Sequence, residues 1–132
     1  MTKTLAKVFG LVFLLVGLLG FVSNPIIGTT GIFMTNSAHN IVHILIGLVL
    51  LLTAKREATA ALWMKIIGAV YLLVALLGFF SNTGMVLGFI SVNSADNWLH
   101  LVLAVVLLGV GLMAKKEGSM PMNTMNMSQG QM

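Results

Sequence analysis

A chain of 132 residues in which 58% of side chains are hydrophobic and only 8% are charged cannot cover a water-facing surface, because soluble domains carry about a quarter charged residues. The absence of cysteine excludes disulfides, thiolate metal sites and cysteine nucleophiles. The net charge of +4 forms no basic stripe interleaved with aromatics, so nucleic acid is not the partner, and lipid is.

Four apolar runs follow in order. The first is Val8 to Val22. The second, Ile41 to Ala54, is broken only by His43 and Thr53. A weaker stretch, Ala58 to Met64, leads into the third, Ile66 to Phe80. The fourth, Trp98 to Ala114, is broken only by His100. Each falls slightly short of the ~20 residues that span the hydrocarbon, and polar flanks with lysines reaching to the headgroups complete the length. They must be helices, because an isolated strand leaves its backbone groups unpaired in lipid. Lys3 and Lys7 ahead of the first run also suit a signal peptide, but no small-x-small cleavage site follows Val22.

The same segment also recurs. Lys7 to Asn24 reads KVFGLVFLLVGLLGFVSN and Lys65 to Asn82 reads KIIGAVYLLVALLGFFSN, identical at 12 of 18 positions. Asn36 to His43 reads NSAHNIVH and Asn93 to His100 reads NSADNWLH, identical at 5 of 8. Low complexity matches leucine with leucine; it does not match LLGF-x-SN and NSA-x-N-x-x-H in one order. The expected fold is therefore an all-α membrane protein of four transmembrane helices. Two tandem helical hairpins, 7–54 and 65–114, are related by a pseudo-two-fold axis along the membrane normal. The membrane domain covers 1–117.

Lys3, Lys7, Lys55, Arg56, Lys65, Lys115 and Lys116 fall at the two ends of the domain and in the middle link, whereas Ser23 to Ser37 and Ser81 to Ser94 contain no Lys or Arg. The positive-inside rule places both termini in the cytoplasm. The uncharged outer loops carry Pro25, Ile26, Ile27 and Met85 to Ile90, so they are expected to lie in the interface or against a partner protein. Gly10 and Gly17, matched by Gly68 and Ala75, let helix backbones approach, within the bundle or between copies. Trp63 and Trp98 suit anchoring at opposite interfaces.

Polar residues of the membrane zone gather at the starts of helices two and four. Asn36 and Asn93, or Ser37 and Ser94 beside them, suit N-caps. Next come His39 and Asp96, then Asn40 and Asn97, then His43 and His100. The i,i+4 spacing puts His39 over His43 and Asp96 over His100. The plainest reading is caps and inter-helix hydrogen bonds that tie the loops to the bundle, with no cofactor required. His39, His43, Asp96 and His100 also make a sensible donor set for zinc or a similar ion. A haem held by His43 and His100 and a pH switch use the same residues. The tail 118–132 is polar and methionine-rich and reads as a disordered cytoplasmic segment; Met120, Met122, Met125 and Met127 carry the spacing that suits Cu(I) or Ag(I). No catalytic set is present: Glu57 and Glu117 lie among lysines, and there is no phosphate loop or HExxH.

LLVGLLGF, NSAHNIVH, LLVALLGF and NSADNWLH together resemble the small bacterial membrane proteins grouped as domain-of-unknown-function family 4383, over Lys7 to Ala114. The resemblance implies a four-span inner-membrane protein with no assigned activity, and the methionine tail lies outside the family pattern. The leading expectation is an accessory subunit of a respiratory or photosynthetic membrane assembly, bound to other membrane proteins or to copies of itself. A metal- or haem-binding protein is the alternative. A transporter fits less well, because inward polar residues occur at a single depth.

Overall fold

The computed structural model describes residues 1–114. The methionines of the tail, Met120, Met122, Met125 and Met127, lie outside the described residues, as do Lys115, Lys116 and Glu117.

Among the described residues there are four helices: α1 (Thr2–Leu19), α2 (Ser37–Thr53), α3 (Glu57–Phe80) and α4 (Ser94–Met113). Of these, α1, α3 and α4 are long and apolar enough to cross a membrane; α2 is equally apolar but has 17 residues, about 25 Å at the helical rise. Three residues separate α2 from α3, which forces them to run antiparallel. The α1–α2 and α3–α4 links are longer and hold short paired strands: β1 (Ile27–Gly28) beside β2 (Phe33–Met34), and β3 (Met85–Val86) beside β4 (Ile90–Ser91). In the second link three residues, Leu87 to Phe89, join β3 to β4; Leu87 and Gly88 both take positive φ, 55° and 79°, and Phe89 N–H donates to the Val86 carbonyl, closing a tight turn.

Each helix buries one narrow stripe. In α1 it is Thr2, Ala6, Gly10, Phe13 and Gly17; in α4 it is Asp96, Asn97, His100, Ala104, Leu107 and Gly111. The three-and-four spacing is that of a single helical face. Small residues on these stripes set the separation of the helices. A Cβ on Gly47 would stand 2.7 Å from the Gly10 carbonyl oxygen and 2.7 Å from the Leu14 amide; one on Gly68 would stand 2.8 Å from the Leu108 amide. The glycine stripe of the first helix is thus spent on α2 of the same chain. Around Phe13, Leu50, Met64, Tyr71 and Leu107 the core closes, while Leu11, Leu15, Leu45, Leu52, Leu73, Val102 and Val105 point outward.

Two boundaries differ from the apolar runs. Helix α1 ends at Leu19 and not Val22: beyond it the Phe21 and Val22 amides donate to the Leu18 and Leu19 carbonyls, three residues back rather than four. The Asn24 side-chain amide then gathers the Leu19 and Val22 carbonyls as the chain turns. The weak stretch Ala58 to Met64 forms the first turns of α3, since neither Gly nor Pro interrupts it and Ala60, Ala61 and Met64 reach the core. The links also fold back on the bundle: Val86, Ile90 and Val92 are buried against Val42 and Val74.

Overpacking a close backbone contact costs about 1–3 kcal/mol, so Gly47→Ala should lower the thermal midpoint of the detergent-solubilised protein. Nothing lies within 4 Å of a Cβ on Gly109, so Gly109→Ala should be neutral, or raise stability by up to about 1 kcal/mol through helix propensity. Equal midpoints for the two variants would contradict this packing.

Candidate functional site

Asn36 and Asn93 are the N-caps, in extended backbone, accepting from the amides of His39 and Asp96 at 3.0 Å each. Each orphan amide at a helix start needs such a partner. The same two side chains reach across the molecule. Asn36 Nδ2 donates to the Phe89 carbonyl at 2.8 Å, and Asn93 Nδ2 donates to the Ile32 carbonyl at 2.8 Å. Each cap therefore holds its own helix and the opposite loop.

The next position repeats the exchange with different chemistry. His39 Nδ1 lies 2.7 Å from the Ser91 carbonyl oxygen. Asp96 Oδ2 accepts from the Met34 amide at 2.9 Å and from the Asn93 amide at 3.0 Å, closing a capping box on α4. Positions 34 and 91 correspond in the two sequence blocks, as do 39 and 96. A histidine that donates has replaced, or been replaced by, a carboxylate that accepts, and the backbone group opposite has changed to match. One turn further in, Asn40 and Asn97 pack against Gly20 and Gly78.

His39, His43 and His100 converge inside this frame, each with one ring nitrogen within 4.8 Å of the others. His39 Nε2 and His43 Nε2 are 3.1 Å apart. Ring centroids stand 5.5 Å apart for His39 and His100 and 6.2 Å for His43 and His100. All three are buried, at 3%, 7% and 3% exposure. A carbonyl oxygen only accepts, so His39 carries its proton on Nδ1 and offers a lone pair at Nε2. His43 Nε2–H then donates to it, which leaves His43 Nδ1 as a bare lone pair. Among the described residues, His43 Nδ1, His100 Nδ1 and the Tyr71 hydroxyl are buried without a hydrogen-bond partner.

Of the four donors expected for an ion, the structure gathers the three histidines and directs Asp96 to the cap and the Met34 amide. The order Asn93-x-x-Asp96 carries the capping-box pattern that signals this diversion. Tyr71 was missing from the sequence reading. It sits 5.0 Å from His100 and 6.3 Å from His43, centroid to centroid, and stacks on Phe13 at 5.3 Å. Phe13 and Tyr71 correspond in the two blocks, so a single tyrosine where the repeat otherwise has phenylalanine was the available signal. A cavity of about 30 Å³ is lined by the three histidines and Tyr71 together with Val42, Val70, Val74 and Ile90. That volume admits one water-sized guest; a porphyrin does not fit between His43 and His100.

A family profile described as Domain of unknown function (DUF4383) matches residues 3–113. No curated protein and no solved structure matches the chain.

Loss of an N-cap costs about 0.5–2 kcal/mol. Asn93→Ala removes the cap, half of the capping box and the link to Ile32, and should fall at the upper end of that range in denaturant or thermal unfolding. Asn93→Ser keeps a capping oxygen and loses only the cross-link, so its loss should be smaller. If both variants unfold together with the parent, the cross-loop contacts contribute nothing.

Proposed function

The chain belongs to the family described as Domain of unknown function (DUF4383), and we propose that it is a small non-catalytic integral membrane protein with four spans. Its two tandem hairpins enter the bilayer from the same side. It serves as an accessory subunit of a larger energy-transducing assembly, respiratory or photosynthetic, in a bacterial inner membrane.

The observation that carries this reading is an inside-out distribution of side chains. Leucines and valines cover the outward faces of all four helices, whereas His39, Asn40, His43, Asp96, Asn97 and His100 are buried. Water rewards the opposite arrangement; hydrocarbon rewards this one. The fourth span rests on α2. Its 17 residues begin at an Asn cap and are extended by Ala54, Lys55 and Arg56, which supplies the missing length at the headgroups. The reciprocal contacts of Asn36 with Phe89 and of Asn93 with Ile32 support a doubled hairpin with a two-fold relation.

The accessory role follows from what the loop end leaves uncovered. Phe80, Leu87 and Ile32 are 83%, 69% and 62% exposed, around a level where the Asn36 and Asn93 caps are already satisfied from within. Apolar surface persisting at the headgroup level marks a place where another membrane protein, or a second copy, is received. Lys3, Lys7, Lys55 and Arg56 at the opposite end, with no Lys or Arg in the two loops, support a cytoplasmic side for that end.

The chain has no native cysteine, so single cysteines at Thr30, Thr83 and Lys55 report topology directly. A membrane-impermeant maleimide added outside intact cells should label Thr30→Cys and Thr83→Cys and leave Lys55→Cys untouched until lysis. Opposite behaviour of Thr30→Cys and Thr83→Cys would end the four-span scheme. Purification in mild detergent should bring down stoichiometric membrane partners; a lone monomer would end the accessory role.

A further inference from the structure

We propose that His39, His43 and His100, with the Tyr71 hydroxyl as fourth donor, form a binding site for one zinc-class divalent ion that ties α2 of the first hairpin to α3 and α4 of the second.

Four observations converge. The 3.1 Å between His39 Nε2 and His43 Nε2 approaches the roughly 3.3 Å between two nitrogens that share a tetrahedral ion at 2.0–2.1 Å. One ring nitrogen of the third imidazole lies within 4.8 Å of both, so an ion that draws His100 inward completes a three-nitrogen face. His39 is already oriented for ligation: Nδ1–H donates to the Ser91 carbonyl and directs the Nε2 lone pair inward, the outer contact that metal-bound histidines use. Two unpartnered buried atoms, His100 Nδ1 and the Tyr71 hydroxyl, belong to residues that line one cavity of ion size together with His39 and His43.

The donor set selects the ion. Calcium and magnesium need six or more oxygens, and the nearby carboxylate, Asp96, is spent on two amides. Copper(I) prefers thiolate and thioether, and neither lines the cavity. Three imidazoles and one oxygen are a tetrahedral zinc set. The ion takes the place of the proton between His39 and His43. The His43 ring proton passes from Nε2 to Nδ1, both rings stay neutral, and Tyr71 releases its proton to solvent. One negative oxygen then offsets part of the charge brought into an apolar setting.

The three histidines are the only ones in the chain, so the test uses full-length protein purified without a histidine tag. Chelator-treated protein in phosphatidylcholine nanodiscs is titrated with Co(II), which the thioethers of the tail do not favour. Expected are one equivalent per chain, intense visible bands of a tetrahedral centre, bleaching by one equivalent of Zn(II), and a rise in the thermal midpoint with Zn(II). Acidification should abolish binding, because protonated imidazole cannot ligate. His43→Ala and His100→Ala should lose the bands at unchanged helicity. Tyr71→Phe, which keeps the stack on Phe13, should bind at least tenfold more weakly with shifted bands. Replacing Met120, Met122, Met125 and Met127 by Leu should change nothing. Parent protein that binds neither ion, a spectrum of octahedral intensity, or bands that persist without His43 would each overturn the site, leaving the membrane topology unaffected.

Discussion

Backbone-to-backbone contact at a few glycines governs this molecule. Gly10 against Gly47, Gly17 against the Asn40 carbonyl and Gly68 against the Leu108 amide bring helices together at distances that no side chain at these positions permits. Helices that approach this closely leave little room between them, and the polar side chains at their outer ends are pressed into contact. The convergence of three imidazoles is therefore a product of helix spacing as much as of their own chemistry. Loosening one glycine contact displaces the caps, the loops and the histidines together.

Much of the fold was legible in the chain because its signals are periodic. Four apolar runs became four helices, and the stripe of small residues in α1 faced a neighbour as packing logic requires. The Asn-x-x-His and Asn-x-x-Asp openings announced the helix starts. The ends of α1 and the start of α3 were harder to read. The first is set by amides that turn back to carbonyls three residues earlier and by the Asn24 side chain, and the second by burial of a stretch whose average hydropathy is unremarkable.

The polar site was legible only in part, for the same reason. The i,i+4 placement of His39 and His43 on one helix is a local fact, and their meeting with His100 follows from matching positions in two blocks. The partners that orient them are not local: Ser91, Met34, Ile32 and Phe89 contribute backbone atoms from irregular loops, where residue identity carries little information. Tyr71 was concealed by its neighbours, one aromatic among leucines and valines whose hydroxyl matters only because of what stands 5.0 Å away.

The exchange of histidine for aspartate between positions 39 and 96 also bears on how the halves recognise each other. The first hairpin presents a donor to the Ser91 carbonyl, and the second presents an acceptor to the Met34 amide. Were two copies of the second hairpin to pair in this geometry, a carboxylate would confront a carbonyl with no hydrogen between them. Like-with-like association of that half carries a penalty, so it depends on the first hairpin for its complement. The difference at one pair of positions makes the contact between the hairpins complementary where two identical halves would clash in polarity.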